Sequence, residues 1–240
     1  MILLAAFLGL AAVLRQSTAQ NPALASLSTD EADQQGEIVD KHNALRRGVI
    51  PTASNMRRME WSPAAAGNAK SWANECILSH SPPDRRKTTV NCGENIFMST
   101  APYSWSNVIQ AWYNEVENFE YGIGPTTPEA VIGHYTQVVW YNSDQIGCAM
   151  AFCPQNLFKY FYVCHYCPAG NYINLMKTPY KSGAPCGDCP NACDNGLCTN
   201  PCKYVDIYSN CPALKKFPGC AHPMVKKNCP GSCRCTTEIQ

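Results

Sequence analysis

Four side chains of the kinds that bind metals or transfer protons are spread along the 240-residue chain. His80 and His134 carry imidazoles, and Glu94 and Glu115 carry carboxylates. Two histidines and two glutamates on separate elements could bind Zn2+, or they could form hydrogen-bonded His–Glu pairs without any metal. No pair of them has the spacing of an HExxH motif, so spacing alone leaves a metal site, a polar core and catalysis open.

Helical periodicity suggests a partner for Glu115. A helix predicted from Trp105 to Tyr121 places Val108 and Trp112 on one apolar stripe, and Glu115 occupies the next position of that stripe. A buried carboxylate is costly unless it is paired or hydrogen-bonded. The candidate partner is His134, because the alternating run GHYTQVVW predicts a strand with this histidine on the same face as a valine and a tryptophan.

Two further helices are predicted ahead of these residues. The segment STDE at 28–31 has the pattern of a capping box and opens a helix that ends near Arg47. Ser62 followed by Pro63 marks a second helix start, and His80 is expected at the end of that helix.

Strand-forming residues concentrate in the later part of the same region, which is rich in Val, Tyr, Phe and Trp. The predicted strands are Val131–Tyr141, Gly147–Phe152 and Tyr160–Tyr166. Glu94 is expected in a loop that the neighbouring Cys92 holds in place. Helices and strands in a stretch of this length indicate a single α/β or α+β domain, and we predict the α+β class.

The first nineteen residues, MILLAAFLGLAAVLRQSTA, contain an apolar run that ends in small residues. This pattern predicts a secretory signal peptide at 1–19 and therefore a secreted, extracellular protein. The run is shorter than the ~20 apolar residues of a membrane span, and no later stretch approaches that length. We expect no membrane span.

All sixteen cysteines follow this leader, and their even number predicts a disulfide framework. Cys186-x-x-Cys189 also has a spacing found in zinc sites, although an oxidising compartment favours disulfides. The cysteines fall into three blocks that can each close internally. The blocks are Cys76, Cys92, Cys148, Cys153, Cys164 and Cys167; Cys186, Cys189, Cys193 and Cys198; and Cys202, Cys211, Cys220, Cys229, Cys233 and Cys235.

Composition changes after residue 180, where ten of the sixteen cysteines occur among few aliphatic residues. A segment of this size cannot fold on hydrophobic burial alone, so its disulfides must stabilise it. We predict a domain at 20–180, a hinge at 181–201 and a terminal module at 202–240. The module has six basic and two acidic residues, a net charge of +4 that favours an anionic partner but is too weak to indicate nucleic acid.

Five stretches carry a family resemblance. They are IVDKHNALRR (38–47), CGENI (92–96), GHYTQVVW (133–140), YVCHYCPAGN (162–171) and CGDCPNACDNGLCTNPC (186–202). Together they closely resemble the cysteine-rich secretory proteins, and the nearest likeness is to members secreted in reptile venoms. The resemblance implies an α-β-α sandwich (a CAP domain), a disulfide-rich hinge and a small helical cysteine-rich module.

The resemblance also implies a disulfide pairing and a ligand set. It gathers His80, Glu94, Glu115 and His134 around one cleft that can take up Zn2+, without any cofactor being required. His165 departs from the glutamine common in venom relatives, and we predict that it alternates away from the cleft and is exposed. The implied pairs are Cys76–Cys153, Cys92–Cys167, Cys148–Cys164, Cys186–Cys193, Cys189–Cys198, Cys202–Cys235, Cys211–Cys229 and Cys220–Cys233.

The implied function is that of a venom-gland toxin, a monomer and not an enzyme. It would block or modulate voltage-gated calcium or potassium channels, cyclic-nucleotide-gated channels or ryanodine receptors, and inhibit smooth-muscle contraction. Basic and aromatic residues of the module would contact the extracellular or vestibule surface of the channel. The predicted contact residues are Tyr208, Lys215, Lys216, Phe217, Lys226 and Lys227. The alternatives are a metal-dependent or serine hydrolase at the His/Glu cleft and a sterol- or lipid-binding protein.

Overall fold

The computed structural model describes residues 25–208 and 210–239, and the predicted signal peptide lies outside this part of the chain. None of the helices in the described part has the length and apolar character needed to cross a bilayer. The helices are α1 Ala32–Arg47, α2 Pro63–Ala73, α3 Trp105–Tyr113, α4 Gly133–Val138, α5 Cys211–Leu214, α6 Pro223–Asn228 and α7 Pro230–Arg234. The strands are β1 Glu60–Trp61, β2 Gly93–Ser99, β3 Phe119–Glu120, β4 Gly124–Pro125, β5 Gln145–Phe152, β6 Tyr160–Cys167, β7 Cys193–Asp194 and β8 Leu197–Cys198.

A four-stranded sheet with the order β1-β5-β6-β2 forms the middle layer of the first domain. One face packs against α1, α3 and α4, where Ile38, Trp112 and Tyr135 are buried. The other face packs against α2 through Ala69 and Trp72. The strands alternate between these two cores, as a sheet covered on both faces requires. This is the predicted α-β-α sandwich.

Helix α1 begins later than its sequence pattern predicts. Its N-cap is Glu31, without a side-chain capping hydrogen bond. The Ser28 hydroxyl instead accepts a hydrogen bond from the backbone N–H of Asp30 at 3.3 Å. The predicted capping box is therefore wrong, because a local turn uses the serine side chain before the helix starts.

Helix α2 begins as predicted, with Pro63 at its first position and the Ser62 hydroxyl accepting from the N–H of Ala65. It ends at Ala73, however, so His80 lies beyond it in a loop. Glu94, expected in a loop, lies in strand β2.

Most of the segment GHYTQVVW, Gly133–Val138, is a helix, so the predicted strand at 131–141 is wrong. Within α4 the hydroxyl of Thr136 donates to the carbonyl of Ile132 at 3.0 Å, a contact between successive turns. Tyr135, Val138 and Val139 are all buried, and their spacing also fits one face of a helix. A short apolar run satisfies both periodicities, and the sequence alone does not decide between them.

Helix α3 is also shorter than predicted. It ends at Tyr113, and a 3-10 turn at Asn114–Asn118 follows and carries Glu115. The predicted strands β5 and β6 are present at Gln145–Phe152 and Tyr160–Cys167.

Eight disulfides connect all sixteen cysteines, and they join the same eight pairs that the resemblance implied. Cys148 and Cys164 are direct partners across β5 and β6. Among the described residues, only Cys186, Cys189 and Cys198 form a group of three ligand atoms within 4.8 Å. All three are in disulfides, so they offer no thiolate to zinc.

The cysteine-rich module is tied to the hinge and the first domain through its C-terminal segment. Ile239 donates to the carbonyl of Asn200 at 3.0 Å and accepts from the N–H of Cys202 at 2.8 Å. Its carbonyl also accepts from the guanidinium of Arg57 in the first domain. The Ile239 side chain is buried against the hinge disulfides. A cleft of about 340 Å³ opens beside this contact and is lined in part by Lys215.

Candidate functional site

Two His–Glu pairs form the candidate site. The Nδ1 of His80 lies 2.7 Å from Oε1 of Glu94, and the Nδ1 of His134 lies 2.6 Å from Oε1 of Glu115. Both carboxylates are more buried than their imidazole partners. The structure thus resolves the four predicted residues into two hydrogen-bonded pairs.

Glu94 has five donors around its carboxylate. Oε1 accepts from the His80 imidazole and from the backbone N–H of Ser81 at 2.9 Å, and Arg86 lies 3.5 Å away. Oε2 accepts from the Ser81 hydroxyl at 2.6 Å and from Nε2 of His165 at 2.9 Å. Burial alone would raise the pKa of Glu94, but the hydrogen bonds from His165, His80 and Ser81 outweigh it and lower that pKa to about 2.

The prediction that His165 is exposed and faces away from the cleft is wrong. Its side chain is fully buried, and it is the direct cross-strand partner of Glu94 between β2 and β6. Cross-strand partners point to the same face of a sheet, which brings the imidazole to the carboxylate. A signal for this contact was available, because the implied Cys92–Cys167 disulfide in an antiparallel register places residue 94 opposite residue 165.

Glu115 fixes the start of α4. Its Oε2 accepts from the backbone N–H groups of His134 at 2.8 Å and Tyr135 at 3.1 Å, while Oε1 binds the His134 imidazole. Burial alone would raise the pKa of Glu115, but these hydrogen bonds outweigh it and lower that pKa. The predicted pairing of Glu115 with His134 is present, although on a helix rather than a strand.

Strand β2 connects the two pairs. Glu94 points to the α2 side of the sheet, and the next residue, Asn95, points to the other side. There its amide donates to the backbone carbonyl of His134 at 3.1 Å and to the hydroxyl of Tyr166 at 3.3 Å. The Tyr166 hydroxyl in turn contacts Nε2 of the buried His42 at 2.9 Å. The site is therefore built around the first residues of β2.

Arg46 holds the other end of α4. This fully buried guanidinium donates to the carbonyls of Val138 at 2.9 Å and Trp140 at 2.8 Å. It also reaches the carbonyls of Arg57 and Tyr141. Burial lowers the pKa of Arg46 to about 9, so the side chain stays charged at neutral pH. Its charge satisfies carbonyls at the C-terminal end of α4, where a cation is favoured.

The rings of His80 and His134 are oriented as metal-binding histidines usually are. A metal-bound histidine almost always donates its other ring N–H to a carboxylate or carbonyl, which fixes the tautomer. His80 and His134 both have Nδ1 on a carboxylate, and within the described residues neither Nε2 has a hydrogen-bond partner. Each imidazole thus has Nε2 available, and Glu94 and Glu115 would serve as orienting partners rather than ligands. Within the described residues these four side chains do not form a group of three ligand atoms within 4.8 Å.

The hydrogen bonds of this site also bear on the alternative that it is a serine hydrolase. A serine nucleophile needs a histidine within hydrogen-bond reach. The Ser81 hydroxyl donates to Glu94, and among the described residues the rings of His80 and His134 have carboxylate partners rather than serine hydroxyls. These contacts do not form a serine–histidine pair at Ser81, and that the chain is not an enzyme stays a prediction.

The predicted channel-contact residues all lie on the module surface. Phe217 is 84% exposed, and Tyr208 is 45% exposed. Within the described residues, none of the four lysines forms an ion pair. Val225, which the sequence places among lysines, is instead buried in the module core with Cys211 and Cys229.

Comparison with known proteins places this architecture in a family. The sequence pattern described as "Cysteine-rich secretory protein family" (CAP) matches residues 39–166, and a second pattern, Crisp, matches residues 186–240. The two matches lie on either side of residue 181, where we predict the hinge to begin. The domain boundaries themselves stay a prediction.

Individual relatives match over most of their length. The chain is 55% identical over 243 residues to the cysteine-rich venom protein helothermine of Heloderma horridum horridum, covering 100% of both chains. It is 53% identical over 221 residues to cysteine-rich secretory protein 2 of Homo sapiens, covering 92% of this chain and 91% of the relative. A crystal structure of NaASP2 with Zn2+ is 31% identical, with a TM-score of 0.59, and the match covers 70% of this chain and 96% of that one.

An α-β-α sandwich followed by a cysteine-rich module, with two His–Glu pairs beside the sheet, defines a CAP-domain protein. The chain belongs to the cysteine-rich secretory protein family, as its sequence motifs predict. The eight disulfides and this membership fit a secreted protein.

Proposed function

We propose that this chain is a secreted, monomeric modulator of ion channels and that the cysteine-rich module is its contact surface. The candidate targets are voltage-gated calcium or potassium channels, cyclic-nucleotide-gated channels and ryanodine receptors. Block of such channels would reduce smooth-muscle contraction. The similarity to a protein named for venom supports a venom-type role, although a human secretory protein is similar to nearly the same degree.

One observation carries the proposal. Phe217 projects into solvent beside Lys215 and Lys216, in a module whose three disulfides leave its backbone little freedom. An exposed aromatic side chain is a typical interface anchor, and a preformed surface loses little entropy on binding. The unpaired lysines suit an acidic channel surface, and they would speed association at low salt.

The test is patch-clamp recording of the purified full-length protein on a panel of these channels. Phe217→Ser and Lys216→Glu should each weaken any block about tenfold or more, as expected for an anchor and a facing charge. The matched controls are Leu157→Ser and Lys159→Glu, because Leu157 is 79% exposed on the first domain beside a lysine. The proposal fails if the wild-type protein changes no current, or if the module variants and the controls behave alike.

A second candidate function is binding of a divalent metal such as Zn2+ in the cleft. It is favoured by the Nδ1 contacts of His80 and His134, which leave both Nε2 atoms available. The relative NaASP2 was crystallised with Zn2+. A bound metal ion would supply a positive charge at the cleft, and no cofactor is required for the channel role.

Isothermal titration of the full-length protein with ZnCl2 tests the metal site. His80→Ala and His134→Ala should each lower the affinity at least tenfold, because each removes a direct ligand. His222→Ala, an exposed histidine on the module, is the control and should leave the affinity unchanged. Unchanged binding in both cleft variants would contradict the proposed ligands.

A further inference from the structure

His165 has an environment that packing does not explain. It is fully buried on the central strand β6, and its Nε2 lies 2.9 Å from Oε2 of Glu94. Its Nδ1 is buried and has no hydrogen-bond partner in the described part of the protein. Among the described residues the contact of Nε2 with Glu94 is therefore the hydrogen bond that orients this ring.

The hydrogen bonds to Glu94 determine which ring nitrogen of His165 and of His80 carries the proton. A carboxylate can only accept, so the Nε2 of His165 carries the proton and donates to Glu94. The same reasoning places the proton of His80 on Nδ1, where it points at the other oxygen of Glu94. Glu94 therefore lies between two imidazoles that both donate to it.

Hydrogen bonds to both oxygens of Glu94 fix its carboxylate in one orientation. One oxygen is held by His165 and the Ser81 hydroxyl, and the other is held by the Ser81 backbone N–H. The Glu94 side chain is only 1% exposed, whereas the His80 side chain is 56% exposed. An exposed imidazole is thus hydrogen-bonded to a buried carboxylate whose orientation its other donors fix.

We propose that His165 is a positioning residue for the cleft. By donating to Glu94 it fixes the carboxylate, which in turn holds His80 as the Nδ1–H tautomer with Nε2 free to take up a divalent cation such as Zn2+. The inference rests on the proposed metal site. Its first readout, the tautomer of His80, needs no metal.

Two substitutions separate positioning from packing. His165→Gln can still donate an amide N–H to Glu94, whereas His165→Met fills a similar volume and has no donor. The tautomers of His80 and His165 are measured in the metal-free, 15N-labelled full-length protein by NMR of the ring nitrogens. Zinc affinity is measured by titration calorimetry with ZnCl2, and His222→Met serves as the control for a histidine outside the cleft.

We expect His80 to be predominantly the Nδ1–H tautomer in the wild type and in His165→Gln. In His165→Met it should become a mixture of tautomers, and zinc affinity should fall about tenfold, the lower end of the range for lost orienting partners. The wild-type spectrum should also show His165 as the Nε2–H tautomer, a result that does not depend on whether any variant folds.

Three results would overturn the proposal. They are a wild-type His165 protonated on Nδ1, an unchanged His80 tautomer in His165→Met, and equal disturbance of His80 by the glutamine and methionine variants. If the wild type binds no zinc but the tautomers change as expected, the metal function fails and the positioning role stands.

Discussion

Buried polar side chains in this protein act on backbone groups far away in sequence. Arg46 contacts four carbonyls, three of them at or after the end of α4. Within the described residues it has no carboxylate within ion-pair distance, so its charge is stabilised by these carbonyl dipoles. One residue of the IVDKHNALRR stretch thus holds the helix that carries His134.

Arg46→Met should therefore be strongly destabilising. Among the described residues it leaves the carbonyls of Arg57 and Val138 without a donor, whereas those of Trp140 and Tyr141 keep backbone N–H donors. We expect the free energy of unfolding in urea to fall by about 3 kcal/mol. Arg47→Met is the matched control, because Arg47 donates to the Asn195 carbonyl at an exposed site. The control should cost less than about 1 kcal/mol, and a similar loss in both variants would contradict this role of Arg46.

His42 gives the protein a defined sensitivity to acid. Burial lowers the pKa of this imidazole from 6.5 to about 3. As the pH falls from 6.5 toward 3, the unfolded chain binds a proton at this residue that the folded chain does not. The free energy of unfolding must therefore fall by up to about 1.4 kcal/mol per pH unit in this window.

His42→Gln removes the titrating group. The variant should be less stable than the wild type at pH 6.5, because it loses the contacts to Ile38 and Tyr166. The stability difference should then shrink by about 2 kcal/mol at pH 4.5. Urea unfolding at both pH values measures it, and a difference that is the same at both would refute the assignment.

At the scale of elements, the backbones of α2 and β5 approach each other closely at Gly147. A Cβ on Gly147 would lie 2.0 Å from the backbone nitrogen of Ala66 and 2.7 Å from the carbonyl oxygen of Ser62. Both are backbone atoms at the start of the helix, so neither can move without shifting α2. Glycine is required at position 147 because the backbones of α2 and β5 lie so close together, and not because of its own backbone angles.

Gly147→Ala should separate α2 from the sheet and lower the melting temperature by 10 °C or more, roughly the effect of 3 kcal/mol in a domain of this size. Gly67→Ala is the control within the same helix, because a Cβ there meets nothing within 4 Å. That variant should be neutral or up to about 1 kcal/mol more stable, since alanine favours helix. Equal melting temperatures for the two variants would exclude the packing argument.

The sequence predicts elements best where local chemistry determines them. Strands β5 and β6 and the start of α2 follow from residue preferences and a cap, and they lie close to their predicted positions. Helix α4 could not be predicted, because its short apolar run fits two periodicities and its ends are held by Glu115 and Arg46 from distant segments. The apolar stripe of the predicted helix at 105–121 was enough to predict Glu115 as the partner of His134. The contact of His165 with Glu94 depends instead on the register of two strands.

At the scale of the whole molecule, Ile239 determines how firmly the module is attached. Its backbone pairs with the hinge, and its side chain is buried against the disulfides of Cys186, Cys189 and Cys198.

Ile239→Ala should raise amide hydrogen exchange at Cys202 roughly tenfold, as a loss of about 1.4 kcal/mol of local stability predicts. Ile207→Ala is the control, because Ile207 is 67% exposed. Unchanged exchange at Cys202 would contradict this role of Ile239.

The cross-strand pairing of Glu94 with His165 has a consequence for how the protein is prepared. The pairing exists only in one register of β2 on β6, and a shift of one residue would turn His165 to the opposite face. The Cys92–Cys167 bridge joins the start of β2 to the end of β6 and locks that register. The ring-nitrogen spectrum of His165 therefore reports oxidative refolding of the first domain, because isomers that lack the Cys92–Cys167 bridge would lose its signal even when their mass and cysteine oxidation are correct.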